Sequence, residues 1–142
     1  MDTIGQLLDR KGHEIWSIGP DASVYEGVET MAEKGVGALL VMEGKRLVGI
    51  ISERDYARKV VLKDRSSRET RIAEIMTTQL VHGTPYQSVQ EGLSVMTEKR
   101  IRHLPIMNGE ELVGVVSIGD LVKEIIAEQQ QMISQLEQYI SG

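Results

Sequence analysis

Short apolar runs and helical-period apolar faces occur along the chain twice, in the same order. In the first pass an apolar segment, Ile15–Ile18, leads to Pro20, and Val24, Val28 and Met31 then recur at helical spacing behind Ser23. Gly35 stands where a left-handed residue would close that helix. Two β-type runs follow, Ala38–Met42 and Leu47–Ile51, joined as a hairpin by Glu43-Gly44-Lys45-Arg46, and a second helix is predicted from Ser52 to about Leu62. In the second pass Leu80–Val81 leads to Pro85, and Val89, Leu93 and Met96 give the helical face behind Ser88, with Arg100 in the place of Gly35. Leu104–Met107 and Leu112–Val116 flank Asn108-Gly109-Glu110-Glu111, and a helix runs from Ser117 beyond Ile126. Ser23 and Ser88 are each followed three residues later by Glu, so a capping box is predicted at both first helices.

The two passes are copies. Shifted by 65 residues, Ile15–Val61 aligns with Leu80–Ile126 without a gap, and about 16 of the 47 pairs are identical, among them Pro20/Pro85, Gly27/Gly92, Gly49/Gly114, Ser52/Ser117 and Asp55/Asp120. The predicted fold class is α/β of the α+β kind, with two β-α-β-β-α repeats and an extended C-terminal helix. The boundaries read 1–14 as a lead-in helix, 15–62 as repeat 1, 63–78 as a linker, 79–128 as repeat 2 and 129–142 as the helix extension. A unit of under about 50 residues cannot bury its own hydrophobic face, so the halves are expected to pack on each other with pseudo-two-fold symmetry.

Composition narrows the function classes. The 142 residues hold no Cys, which excludes thiol catalysis, thiolate zinc sites and a disulfide framework. The longest apolar stretch, Val36 to Met42, is far short of the ~20 residues of a membrane helix, and no secretory leader pattern opens the chain. A soluble, cytoplasmic protein without membrane contact is expected. A net charge of −5 argues against a general nucleic-acid binder. The polar segment Leu62–Ala73 carries Lys63, Arg65, Arg68 and Arg71, but Asp64 and Glu69 interrupt it and no aromatic is interleaved, so it reads as a solvated linker.

Little in the sequence suggests catalysis. There is no Ser-His-Asp order, P-loop or Rossmann fingerprint, and Gly35-x-Gly37 precedes a strand instead of following one. His13, His82 and His103 share no metal-ligand spacing, so no metal is expected. The pattern S-x-x-D closes each hairpin, as Ser52-Glu53-Arg54-Asp55 and Ser117-Ile118-Gly119-Asp120. It has two readings: a capping box, or a carboxylate and hydroxyl at a helix N-terminus able to take a diol and a phosphate. Arg54 and Arg58, one turn apart, could add charge for a phosphate or pair on the surface with Glu53 and Asp55.

With its two βαββα copies, its hairpins ending in S-x-x-D, and the stretches Ile75-Met76-Thr77 and Arg100-Ile101-Arg102-His103-Leu104-Pro105, the chain resembles a stand-alone tandem pair of cystathionine-β-synthase (CBS) domains, a Bateman module. The resemblance spans about Ile15 to Ile126. It implies a cleft between the halves for an adenosine-containing ligand: AMP first, with NAD(H), ADP, ATP or S-adenosylmethionine as alternatives. Asp55 and Asp120 would take ribose hydroxyls, Ser52 and Ser117 a phosphate, and the backbone at Val36-Gly37-Ala38 and Ile101-Arg102-His103 the adenine. The implied role is regulatory binding without catalysis, coupled to an unidentified downstream protein. The alternative is an interaction module whose sites have lapsed.

Two further expectations concern assembly and asymmetry. From Leu121 to Ile140 the helical pattern persists, with Val122, Ile125, Met132, Leu136 and Tyr139 near a/d spacing and Gln129 interrupting. That stripe needs a cover, either another subunit in a homodimer, which the resemblance favours, or the chain's own lobes as an intramolecular clamp. The site around Asp120 is expected to be the stronger. Thr84 replaces Gly19 as a possible phosphate donor, and Arg102 and His103 replace Gly37 and Ala38.

Overall fold

Residues 2–141 are described by a computed structural model. Helix α1 spans Ile4–Lys11, strand β1 Ser17–Ile18, helix α2 Val24–Lys34, strands β2 and β3 Ala38–Glu43 and Arg46–Ser52, and helix α3 Glu53–Tyr56. A π-helical turn, Ala57–Val61, extends α3. Helix α4 spans Ile72–Ile75, α5 Val89–Lys99, strands β4 and β5 His103–Asn108 and Glu111–Ser117, and helix α6 Ile118–Ser141. This is the mixed α/β architecture expected. Among the described residues no helix is long and apolar enough to cross a membrane.

Both hairpins form in the same register, Ala38 opposite Ser52 and His103 opposite Ser117, each with a bulge before its turn. Ser88 closes the full capping box, but at Ser23 only the serine half is made, its hydroxyl accepting from the Glu26 amide. Both first helices end in a left-handed residue: Gly35 at φ 67° and Arg100 at φ 56°. The amides of Val36 and Ile101 reach back to the Met31 and Met96 carbonyls, turning the chain into β2 and β4.

The leading strand differs between copies. In repeat 1, β1 runs parallel to β2, and the Leu40 amide donates to the Trp16 carbonyl. The second copy was expected to have the same strand at Leu80–Val81 and instead has a single parallel bridge between Gly83 and Ile106. The cause is Pro105, which occupies the position of Leu40 and has no amide to donate.

The chain divides into two compact units, 15–80 and 2–14 with 81–141, so neither unit follows the order lead-in, repeat, linker, repeat. The unit at 15–80 is completed by the segment that follows repeat 1. Although 62–73 reads as a solvated linker, its end and the residues just after it enter the core: Thr70, Ile72 and Ile75 are buried. The other unit is completed by α1, whose Ile4, Leu7 and Leu8 are buried with Val89, Met96, Leu104 and Leu121. The two insertions correspond. A Cβ on Gly27 would stand 2.9 Å from Ile72 Cδ1, and one on Gly92 2.8 Å from Ile4 Cδ1. Likewise Gly49 lies against Met76, and Gly114 against Leu8.

The segments also tie down strand edges, by different chemistry. Thr77 exchanges both backbone bonds with Ile50 on β3. On β5 side chains do this work, His13 Nδ1 donating to the Val113 carbonyl at 2.7 Å and Lys11 Nζ to the Val115 carbonyl at 3.2 Å. The Val113 bond, and then Asp9, raise the His13 pKa above its ordinary value. That contribution is therefore complete below about pH 6.5 and fades as pH rises through the raised value.

Two outcomes follow from this architecture. Ile4→Ala empties a fully buried site and should cost about 2–5 kcal/mol of stability in urea unfolding; a loss under about 1 kcal/mol would mean that α1 is not part of the core. Arg100→Gly removes a left-handed conformation unfavourable to a residue with a Cβ and should raise stability by roughly 0.5–1 kcal/mol, whereas Gly35→Arg should lower it.

Candidate functional site

Each hairpin delivers its site residues to one end of its own unit. Ala38 and Ser52 face each other across the strands, as do His103 and Ser117. The first amide of the following helix bonds back to the segment before the hairpin, Glu53 to the Gly37 carbonyl at 3.0 Å and Ile118 to the Arg102 carbonyl at 2.9 Å. These bonds hold Val36-Gly37-Ala38 beside Ser52-x-x-Asp55, and Ile101-Arg102-His103 beside Ser117-x-x-Asp120. The local pattern closes both motifs as caps, so the capping reading of S-x-x-D is realised in each copy. The Asp55 amide donates to Ser52 Oγ at 3.2 Å, and the Asp120 amide to Ser117 Oγ at 3.1 Å.

The cap does not use up the two carboxylates equally. At Asp55, Oδ2 accepts from the Ser52 amide at 3.0 Å and from its hydroxyl at 3.1 Å. Its Oδ1 is taken as well, by Lys59 Nζ at 3.1 Å and by a long bond from the Thr77 hydroxyl at 3.5 Å. At Asp120, Oδ2 accepts from the Ser117 amide at 2.8 Å and lies 3.4 Å from Lys11 Nζ. Among the described residues nothing bonds to Asp120 Oδ1. The Asp120 side chain is also the more exposed, 24% against 14% for Asp55. Asp120 is thus an oriented carboxylate with one oxygen able to accept from a hydroxyl, its charge offset by an ammonium.

The remaining expected residues divide. Arg54 and Arg58 are exposed, and the surface pairing with Glu53 and Asp55 is not formed; Lys59 takes Asp55 instead. Arg102 is exposed and His103 half-buried, so the two neighbours do differ in facing. Thr84 is not brought to Asp120 within their unit. Gly83 pairs with Ile106, which sets Thr84 at the turn end of β4, roughly 10 Å or more along the strand from the His103 level. The Thr84 amide is held by Gln87 Oε1 at 2.9 Å.

Lys11, Lys59 and Thr77 are the residues that sequence reasoning passed over. Asp55 and Lys59 form an (i, i+4) pair legible from spacing alone. Lys11 has no such signal, since it reaches Asp120 from α1, a segment outside the repeat.

Near the start of α1, Asp2, Glu124 and Glu128 come together, but Arg10 bridges Asp2 at 2.8 Å and Glu124 at 2.6 Å, and the Asp2 amide donates to Glu128 at 3.0 Å. The cluster fastens α1 to α6.

Comparison with known proteins places this geometry. A family model described as CBS domain matches residues 8–62 and 72–127. The mitochondrial CBS domain-containing protein CBSX3 of Arabidopsis thaliana is 37% identical over 150 residues, spanning 99% of this chain and 72% of its own length. A solved structure of a protein with CBS domains from Burkholderia ambifaria MC40-6 is 49% identical with a TM-score of 0.86, over 89% of this chain and 96% of that one. More distantly, the CBS domain pair of protein MJ0100, solved with 5′-methylthioadenosine and S-adenosyl-L-methionine, shares the fold at 19% identity and a TM-score of 0.79, over 90% of this chain and 98% of that one.

Because Asp120 caps α6 as well as offering an oxygen, Asp120→Ala should lower stability by about 1 kcal/mol with no ligand present, as should Ser117→Ala. Urea midpoints measure both. No change for either would mean that the cap contributes nothing and that the pair is held for another purpose.

Proposed function

Since the chain belongs to the CBS domain family and carries the domain twice, we propose that it is a regulatory protein that binds an adenosine-bearing ligand and performs no catalysis on it. AMP is the first choice, with NAD(H), ADP or ATP next, so that the protein responds to energy or redox state. The observation that carries this reading is the Asp120 carboxylate, which the cap orients through Oδ2 while Oδ1 stays open to a ribose hydroxyl. The Ser117 hydroxyl at the start of α6 and the backbone of Ile101-Arg102-His103 lie beside it, suited to a phosphate and to adenine. The adenosine compounds bound by the MJ0100 pair support the ligand class.

In this reading Asp120 is the principal anchor and Asp55 the weaker one, because Lys59 and Thr77 already fill the second oxygen of Asp55. The same observation favours a second reading for repeat 1 alone, a site that has lapsed into structure. The protein works as a cytoplasmic homodimer that passes ligand occupancy to a partner protein; the cysteine-free, acidic composition and the exposed apolar face of α6 support this.

The test is a thermal-shift screen of AMP, ADP, ATP, NAD and S-adenosylmethionine, followed by calorimetry on variants. A ligand at about 100 times its dissociation constant adds ~2.7 kcal/mol to stability, which a melting curve resolves. Asp120→Ala should abolish most of the binding and Asp55→Ala should cost less. Equal losses would mean two equivalent sites, a larger loss from Asp55→Ala would move the anchor to repeat 1, and no shift with any ligand at millimolar concentration would leave an interaction module.

A further inference from the structure

Helix α6 leaves the body of its unit early. Leu121 is buried and Glu124, Ile125 and Glu128 are half-buried, but from Gln129 onward nearly every residue is exposed. Along its outer side runs an apolar stripe: Ile118, Val122, Ile126, Met132, Ile133, Leu136, Tyr139 and Ile140, 36% to 87% exposed.

Six of its residues form a palindrome. Ile118, Val122 and Ile126 stand eleven, seven and three residues before Gln129, and Met132, Leu136 and Ile140 stand three, seven and eleven after it. Reversing the helix about Gln129 places these six residues opposite one another and Gln129 opposite itself, while Ile133 falls opposite the half-buried Ile125 and Tyr139 opposite Gly119. Gln129 is the one polar position on the seam, and its amide both donates and accepts, so a second Gln129 satisfies it. Ile126, Met132, Leu136, Tyr139 and Ile140 are each more than half exposed, a contiguous apolar face of the kind that marks an interaction site. The two halves also differ in access. Ile118, Val122 and Ile126 lie close to the body of their own unit at 36% to 52% exposure, while Tyr139 and Ile140 stand clear at 87% and 83%. A slim helical tail can lie along the sheltered half more readily than a second folded body, and antiparallel helix dipoles attract.

We propose that α6 pairs antiparallel with α6 of a second copy about a two-fold axis at Gln129, each tail lying over the partner's Ile118, Val122 and Ile126. This rests on the two-copy assembly in the functional reading and adds its geometry. It also brings the tail of one copy to the helix start that carries Ser117 and Asp120 in the other.

The chain has no cysteine, so introduced thiols report orientation directly. In light scattering the full chain should show twice 15.8 kDa, and Ile133→Lys with Leu136→Lys, both at exposed positions, should convert it to a folded monomer by circular dichroism. Under mild oxidation, Val122→Cys chains mixed with Leu136→Cys chains should cross-link to each other, and neither should cross-link alone. A monomeric unmodified chain would overturn the two-copy reading along with this geometry. A dimer untouched by the lysine pair would keep two copies and overturn the role of the stripe. Cross-linking of Leu136→Cys with itself would show a parallel pair instead.

Discussion

Neither repeat can close its own core, and the remedy is an isoleucine from outside it. Ile72 enters the space at Gly27 and Ile4 the space at Gly92, each where a side chain on the glycine would leave no room. The depth of those insertions sets where the rest of each segment lies. Met76 and Leu8 then meet Gly49 and Gly114, and the chain beyond reaches the edges of β3 and β5. The polar residues around the two carboxylates follow from the same docking, because Thr77 and Lys11 ride on these segments. A packing requirement thus decides which side chains stand beside each candidate ribose anchor.

Most of the fold was legible because it is written locally and written twice. Helix starts at Ser23 and Ser88, the left-handed stop at Gly35 and both hairpin turns each depend on a few adjacent residues, and the second copy checks the first. What stayed hidden depends on distant residues. The repeat alignment at an offset of 65 misses the equivalence of Ile4 with Ile72, which are 68 residues apart, and so α1 reads as a lead-in and 63–78 as a spacer. At the site, S-x-x-D was visible but ambiguous, since a cap and a ligand anchor require the same residues. The inequality between Asp55 and Asp120 lies in Lys59, Thr77 and Lys11, and of these only Lys59 leaves a mark in spacing.

The two copies have drifted where drift is tolerable. Pro105 removes one ladder bond and shortens a strand, yet the parallel contact survives as one bridge because Gly83 still exchanges bonds with Pro105 and Met107. Arg100 occupies a left-handed turn that glycine fills in the other copy, and the helix still ends in the same way. Backbone bonds from Thr77 to β3 are matched on β5 by the side chains of His13 and Lys11. In each case the hydrogen-bond demand of the edge is met by a different group, so the architecture persists while the chemistry at the two carboxylates diverges.

The division into units has a consequence for how the chain acquires its structure during synthesis. One unit is a single stretch, 15–80, and holds every element of its core by the time Leu80 has left the ribosome. The other is split, its first segment made before that stretch and the rest only after residue 80. Helix α1, with Ile4, Leu7 and Leu8 exposed, must therefore wait through the production of an entire neighbouring lobe before Val89 and Leu104 exist to receive it. A helix of eight residues is marginal on its own. Vectorial translation thus leaves α1 without its partners while a whole lobe is made, and makes closure of the split lobe a late event.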